Sequence, residues 1–524
     1  MKIIYKIGRT IVIFIAIVSI YSCSDDFLDR NPNDKLSSAV FYQSKEDFDQ
    51  ALSACYSTFQ EALFSSANPV MDCLTDNGQA SFYSATSIAQ GPITSLSGGY
   101  IDVVYTESYQ NIARYNIFLK ELSEYGGAVE SWIKEFEAEV KFMRANRYFN
   151  LYKFYGSVPM PLEPVFYETQ FQPKVDPAKI KIQILSDLDF AIANLPDKSF
   201  ASGAGKLVKT SAQALKSRIL LFDAYNDDGS AKEDVMQQVK SITSEIIAKK
   251  YYSIAPGFRA MFVDELGEQE GNPEFIFAIK WTAPTNFVSM FNGWGVAANY
   301  IANVSPGGGI VPYANLANSF EFIDGTPFSE LNPLYDAADV YKNRDPRMAY
   351  TLFTQTAVFE DGFEFSLTAP SPTGYSYLKT IASTDAQNYH ANLNGSYWPA
   401  IRYAEVLLMY AESTNEIDGP TSDVYDAINM IRDRDDVKMP PLVDGLSKDE
   451  MRNAIRHERR IELAFEGFRY DDGKRWKIAD QLFTLPASEA LIPKNFELKN
   501  YHWPLPQTEI NNNNGILVQN PDYF

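Results

Sequence analysis

Two stretches that look like loops combine aromatic residues with amide and carboxylate side chains. The candidate binding residues are Asp76, Asn77, Phe82 and Tyr83 in the first stretch, and Trp281, Asn292, Trp294 and Tyr300 in the second. An aromatic ring can cover the apolar C–H face of a sugar, while amides and carboxylates bond to its hydroxyls. These residue types predict carbohydrate recognition. For any single ring the alternative is packing in the core, because 14% of the chain is aromatic.

Catalysis has no comparable signal. A glycosidase needs two carboxylates at a set separation, but the chain has 67 acidic residues, so chance pairs are expected and none stands out. The three histidines provide little material for a zinc site or a histidine-based triad. No Gly-x-Ser-x-Gly turn, phosphate-binding glycine loop or metal-spaced cluster is present. We therefore predict no catalytic residue, no metal ligand and no enzyme.

Composition narrows the function further. Hydrophobic residues make up 45% of the 524 residues and charged residues 22%, as in globular proteins with a sizeable core. The net charge of −21, without long Lys/Arg runs, argues against a nucleic-acid partner. No linker-like segment divides the chain, so one large body is predicted.

The amino terminus predicts export and a lipid anchor. Lys2, Lys6 and Arg9 precede an apolar run at 11–20 that is too short to span a membrane but suits a signal peptide. Cys23 follows in a sequence similar to a lipoprotein cleavage site, which predicts a signal peptide at 1–22 and lipidation of Cys23. Buried acyl chains contribute about 0.8 kcal/mol per CH₂, enough to hold a soluble body at a bilayer. A plain signal peptide that ends nearby is the alternative.

The elements that must position the loops are mainly helical. Apolar residues at helical spacing predict a helical scaffold at about 40–250 and 399–480, with a loop-rich ligand region at about 251–398. Capping-box sequences start at Ser44 and Ser447. The predicted helices cover a pair from 105 to 155, then about 180–195, 211–225, 231–249, 401–416, 424–434 and 447–465. Short strands are predicted at 274–281 and in a hairpin near 353–365.

Three local features leave alternatives. Pro399 is expected in the first turn of the helix that begins near Ile401. Charged residues crowd the helix after Ser447, and we favour a solvated face with weak ion pairs over a network that ties this helix to a neighbour. Cys55 and Cys73 are either paired in a disulfide or free and buried.

Several segments resemble signatures of one family. The segments Arg402–Glu412, Arg459–Arg469 and Asn343–Arg347, and the closing Trp503–Pro506 with Asn520 and Pro521, closely resemble those of SusD/RagB proteins. Residues 471–475 depart from the family pattern. The resemblance implies a mainly α, SusD-like fold of tetratricopeptide-type helical hairpins with a loop-rich region and a few short strands. It also implies a single domain at 23–524.

The resemblance further implies a function. SusD-like proteins are lipid-anchored at the outer-membrane surface, capture a nutrient such as an oligosaccharide, and act as the lid of a SusC-like TonB-dependent transporter. Ser24, Asp25 and Asp26 are similar to the export signal of such lipoproteins. Peptide capture of the RagB type, a glycan-cleaving enzyme and a helical adaptor are the alternatives. No cofactor is expected, and a structural calcium ion is left open.

Overall fold

The computed structural model describes residues 41–61, 69–80, 83–127, 130–263, 269–282, 310–359, 362–366, 371–383, 395–486 and 490–523. Its long helices are α1 (Lys45–Tyr56), α2 (Tyr100–Glu124), α3 (Ser131–Tyr155), α4 (Pro177–Asn194), α5 (Lys209–Phe222), α6 (Glu233–Ala248), α7 (Tyr403–Asp418), α8 (Ser422–Arg432) and α9 (Lys448–Glu462). Short helices include Tyr83–Gln90, Arg347–Thr351 and Arg469–Arg475. The predicted fold class, mainly α with a few short strands, is confirmed.

The long helices form a continuous stack. Each of α3 to α7 packs against the helix before it, and α8 and α9 both pack against α7. The stack continues from α6 directly to α7, although residues 249–402 separate them in sequence. The loop-rich segment is therefore an excursion from the stack, which itself forms the helical scaffold.

The capping boxes form as predicted. The Ser44 side chain accepts a hydrogen bond from the Asp47 N–H, and the Asp47 carboxylate accepts one from the Ser44 N–H. Ser447 and Glu450 make the same reciprocal pair at the start of α9. Each pair satisfies two N–H groups that have no partner within the helix, so local sequence fixes these two starting points.

The strands form four two-stranded antiparallel pairs in the described residues. They are β1 (Gly78–Ala80) with β3 (Ile310–Pro312), β2 (Phe275–Lys280) with β8 (Tyr397–Arg402), β4 (Leu352–Phe353) with β7 (Ser376–Tyr377), and β5 (Thr356–Val358) with β6 (Glu364–Ser366). The predicted strand at 274–281 and the hairpin near 353–365 are confirmed.

The predicted first turn around Pro399 is wrong. Residues 397–402 form β8, and α7 begins only at Tyr403. Strand β8 pairs with β2, and the register shifts opposite Pro399, where a residue without an N–H cannot continue a regular ladder. Pairing with a strand distant in sequence therefore overrides the local helical pattern.

Two other predictions are corrected. The first aromatic stretch, at residues 74–100, is not one long loop, because it contains β1 and the helix Tyr83–Gln90. Helix α9 ends at Glu462, before the predicted limit, and Phe465 has a positive φ of 58°. That left-handed conformation turns the chain while Phe465 itself stays buried.

Three charged residues of α9, Glu458, Arg459 and Glu462, are buried in the interior, so the favoured prediction of a solvated face is wrong. Glu462 is fully buried and accepts hydrogen bonds from Arg347 at 2.8 Å, and from Arg402 and Arg434 at 2.7 Å each. Glu274 bonds to Arg402 and Arg434 as well, at 2.8 Å each. Burial opposes ionisation of Glu462, but the three guanidinium groups outweigh it and lower its pKa. We call these five residues the central ion network.

The central ion network continues on both sides. Arg347 also pairs with Asp345 and Glu458, Arg432 pairs with Glu458, and Arg402 and Lys379 pair with Glu466. A second buried cluster joins Arg475 to Glu412 and Asp472, and Arg459 to Asp472. Buried charges are tolerated only when they are paired and hydrogen-bonded. These contacts therefore fix how the segments at 274, 347, 402, 434 and 462 are arranged.

The cysteines of the described residues are free. Cys55 and Cys73 are both buried thiols, so the disulfide alternative is wrong. Burial raises the pKa of Cys55 to about 12. The signal peptide and Cys23 lie outside the described residues, and the division into 1–22 and a single domain at 23–524 stays a prediction.

We expect Glu462→Gln to lower the free energy of unfolding by about 3–5 kcal/mol, because three buried arginines then share an uncharged partner. Urea denaturation followed by circular dichroism measures the change. The matched control is Glu137→Gln, which removes a half-exposed ion pair with Lys141 on α3 and should cost at most about 1 kcal/mol. Equal effects of the two substitutions would contradict the structural role of the network.

Candidate functional site

Strands β1 and β3 pair with each other, and each is next in sequence to one of the two predicted aromatic stretches. Ala80, the last residue of β1, lies opposite Ile310, the first residue of β3. The chain therefore leaves β1 and enters β3 at the same end of the strand pair. We call this strand pair, together with the residues that bond to it or to one another beside it, the loop junction. Those residues are Asp72, Asp76, Asn77, Tyr313, Asn315, Arg460, Arg469 and Lys494.

Strand β1 approaches β3 very closely at Gly78. A Cβ atom added there would lie 2.7 Å from the backbone oxygen of Val311, closer than real Cβ contacts. The Tyr313 N–H also donates to the backbone oxygen of Asn77 at 2.9 Å, and the Tyr313 hydroxyl donates to Gln79 Oε1 at 3.0 Å. A glycine is required at position 78 because no side chain fits between the strands.

Two arginines hold the base of the loop junction. Arg469 donates to both carboxylate oxygens of Asp76 at 2.9 Å, and Arg460 Nη2 lies 3.1 Å from Asp76 Oδ2. Burial would raise the pKa of Asp76, but the two arginines outweigh it and lower it to about 2. Arg460 also donates to Asn77 Oδ1 at 2.9 Å and to Asn315 Oδ1 at 2.7 Å. It thus links β1 to the segment after β3.

Below this layer, Lys494 binds the turn that leads into β1. Its buried ammonium donates to the backbone oxygens of Cys73, Thr75 and Gly78. Burial lowers the pKa of Lys494 to about 7. Asp72 accepts from the Asn77 side chain at 3.1 Å and from the Phe465 N–H at 2.6 Å, which ties the same turn to the end of α9. The backbone of the junction is therefore fixed from below by charged groups.

Trp281 lies at the end of a second surface feature. It follows Lys280, the last residue of β2, and is half-buried against the hydrophobic core. Lys280 and Tyr397 line a cleft of about 660 Å³. The Lys280 ammonium and the Tyr397 hydroxyl both donate to the Glu270 carboxylate there, at 2.9 Å and 2.5 Å. The Lys280 ammonium lies 4.8 Å from the centre of the Tyr397 ring. This cleft offers aromatic and charged groups close to Trp281.

The structure separates the predicted site residues into three groups. Asp76 and Asn77 are buried, with exposed fractions of 5% and 1%, and their side chains support the loop junction from inside. Trp281 follows the end of β2 and is next in sequence to Lys280, which lines the cleft. The other candidates cannot be placed, because Phe82, Asn292, Trp294 and Tyr300 lie outside the described residues, as does the side chain of Tyr83. Ligand contact by all eight residues stays a prediction.

Sequence reasoning missed the polar groups that support the site. Gln79, Tyr313, Asn315, Arg460 and Lys494 all belong to the loop junction but come from distant parts of the chain. Arg460 had a sequence signal, since it lies within the signature segment Arg459–Arg469. The others had none, because isolated polar residues in irregular segments show no periodicity.

The described ranges contain no cluster of three or more His, Cys, Asp or Glu side chains arranged to hold a metal ion. None of their helices is long and apolar enough to cross a membrane.

The fold and the loop junction together define a class of protein in which stacked helical hairpins carry small antiparallel strand pairs. A family model described as "SusD family" matches residues 273–523, and one described as "Starch-binding associating with outer membrane" matches residues 26–221. The chain belongs to the SusD/RagB-like family.

Relatives match along almost the whole chain. A "SusD-like protein P2" of Formosa agariphila is 25% identical and covers 98% of this chain and 99% of its own length. A "SusD-like protein" of Bacteroides ovatus is 22% identical over 90% of this chain and 83% of its own. The crystal structure of a "SusD-like carbohydrate binding protein" of Bacteroides fragilis is 25% identical, with a TM-score of 0.77 over 92% of this chain and all of that one.

We expect Gly78→Ala to open the β1–β3 pair, because the added methyl group would collide with the Val311 backbone oxygen. Hydrogen exchange should show faster exchange at the Tyr313 amide, which loses its bond to Asn77. Gly126→Ala is the matched control, since nothing lies within 4 Å of its added Cβ. Unchanged protection of Tyr313 in Gly78→Ala would contradict the close approach.

The Asp76 ion pairs should make stability depend on pH. The folded pKa of about 2 lies below the ordinary 3.8, so this contribution is complete above about pH 4 and is lost as the pH falls toward 2. Denaturation of the wild type and of Asp76→Asn should give a stability difference that shrinks by about 2 kcal/mol between pH 5 and pH 2. A constant difference over this range would contradict the assignment.

Proposed function

We propose that this protein is a lipid-anchored cell-surface protein that binds an oligosaccharide and passes it to a SusC-like TonB-dependent transporter, for which it acts as the lid. Cys23 would carry the anchor in the outer membrane. Phe82, Tyr83, Trp294 and Tyr300 would contact the ligand above the loop junction, with Trp281 and Asn292 contributing from the second stretch.

The observation that carries the proposal is the β1–β3 pair, which joins two stretches rich in aromatic and amide residues at one end. Sugar binding needs rings and hydrogen-bonding groups to converge, and a pair of loops from adjacent strands provides this. Support also comes from the relative of Bacteroides fragilis, described as carbohydrate binding, and from the starch-binding family model.

The buried position of Asp76 and Asn77 refines their proposed role. Asp76 is engaged by two arginines and Asn77 by Arg460, so neither side chain is free to accept several sugar hydroxyls. We assign them the support of the loop that carries Phe82. At the surface of the junction, the exposed Asn315 would be available to bond a ligand, while Arg460 positions its side chain.

The absence of a recognisable acid and base pair in the sequence favours binding without bond cleavage. The carboxylates at the loop junction, Asp72 and Asp76, are buried and bonded to protein groups. A glycosidase needs a carboxylic acid that reaches the glycosidic oxygen and a second carboxylate opposite it. Neither Asp72 nor Asp76 meets this requirement.

Replacing the proposed contact rings should weaken oligosaccharide binding. We expect Trp294→Ala and Phe82→Ala each to lose about 1–2 kcal/mol of binding free energy, or about five- to thirty-fold in affinity, because a stacked ring is removed. Calorimetry with plant, microbial and host oligosaccharides measures this. Tyr167→Ala is the matched control, since that ring is 83% exposed on a separate loop.

The same panel separates the alternatives. Unchanged affinity in both ring variants would overturn the proposed site, and binding of peptides but of no oligosaccharide would favour the RagB-type alternative. Release of shorter sugars, lost on replacement of a single carboxylate, would show a glycan-cleaving enzyme.

A further inference from the structure

A second cavity lies where the carboxyl ends of α3 and α5 meet the segments 474–481 and 498–502. Its volume is about 610 Å³, within the range of small-molecule sites. Tyr152, Phe222, Tyr225 and Tyr501 contribute aromatic surface to its wall. It shares no residue with the loop junction, so it is a separate site.

The wall of this cavity contains a buried lysine, Lys474, whose pKa is lowered to about 7 by burial. Lys474 is 3% exposed, and its ammonium donates to the Lys153 backbone oxygen at 2.7 Å. It forms no ion pair with any carboxylate of the described residues, whereas an ammonium has three N–H donors. The rings of Phe222 and Tyr470 lie 5.7 Å and 5.4 Å from it and compensate only part of the cost of burial. Donors therefore remain for a ligand.

The remainder of the wall is polar and carries both signs of charge, with three aspartates and, besides Lys474, the basic side chains of Lys232, Arg475 and Lys477. The Asp223 carboxylate accepts from the Tyr152 hydroxyl at 2.8 Å and pairs with Lys181, and Asp480 lies nearby in the wall. At the mouth, Lys477 pairs with the fully exposed Asp227 at 3.1 Å. The Lys477 ammonium also lies 5.6 Å from the centre of the Tyr501 ring.

These groups discriminate between classes of ligand. The carboxylates in the wall accept hydrogen bonds from neutral hydroxyls, and three acidic side chains beside four basic ones suit a ligand with a single negative charge. The buried ammonium favours one carboxylate. A ring such as Tyr501 can cover the apolar face of a sugar.

We propose that this cavity binds a carboxylated sugar of the uronic acid type. Its carboxylate would pair with Lys474, its hydroxyls would donate to Asp223, and Lys477 would exchange its exposed partner Asp227 for the ligand. The site is independent of the oligosaccharide site at the loop junction.

Galacturonate titrated against the full mature chain tests this site, with galactose as the neutral comparison. We expect millimolar or tighter binding of galacturonate, and Lys474→Met should weaken it about ten-fold because the buried partner charge is lost. Lys477→Met should weaken it a few-fold. Since Lys477 is partly exposed at the mouth, that variant keeps the fold even if Lys474→Met does not.

Lys342→Met is the matched control, because it removes a lysine from an exposed ion pair and should leave affinity unchanged. Galacturonate and the trimer of galacturonic acid form two arms, which distinguish a free sugar acid from a terminal residue of a chain. The double variant Phe82→Ala, Trp294→Ala should retain galacturonate binding. The proposal is overturned if that double variant abolishes binding, if galactose binds equally well, or if Lys474→Met and Lys477→Met both bind galacturonate as the wild type does.

Discussion

The pairing of buried arginines with carboxylates around Glu462 is the constraint on which the remainder of the structure depends. Removing these ions from water costs several kcal/mol per group, and only close, directed pairing offsets the cost. Apolar surfaces can slide against one another at little cost, whereas a guanidinium and a carboxylate bond only in a narrow range of geometries. Glu274, Arg347, Arg402 and Arg434 come from segments far apart in sequence, so the network specifies one arrangement of those segments.

Helix α9 connects the central ion network to the loop junction. Helix α9 presents Glu458 and Glu462 to the interior and Arg460 to Asn77 and Asn315, while the turn after it donates the Phe465 N–H to Asp72. Its position is set by the ion network, and it in turn sets the base of β1–β3. The backbone of the β1–β3 pair is thus held by charged groups and by the close approach at Gly78. Rigid support of this kind lowers the entropy cost of ordering loops around a ligand.

The sequence predicted features that depend on near neighbours. Capped helix starts at Ser44 and Ser447, the helical hairpins and the hairpin near 353–365 follow from local spacing, and all were confirmed. Pro399 was misassigned because residues 397–402 form a strand by pairing with β2, and no local sequence pattern reveals that pairing. The charged face of α9 was misassigned because a solvated face and a buried network have the same residue types, and the partners Arg347 and Arg434 are remote. Family signatures identified the important segments without showing that several of their charges are structural.

The direct contact between α6 and α7 has an evolutionary consequence. Because α6 and α7 are in contact, residues 249–402 leave the helical stack and return to it at neighbouring points. Long insertions between fixed ends cost little in stability, since loop-closure entropy grows only slowly with length. Away from Glu274, Arg347 and Lys379, whose buried ion pairs tie this segment to the core, insertions and substitutions can therefore accumulate while the helices keep their packing.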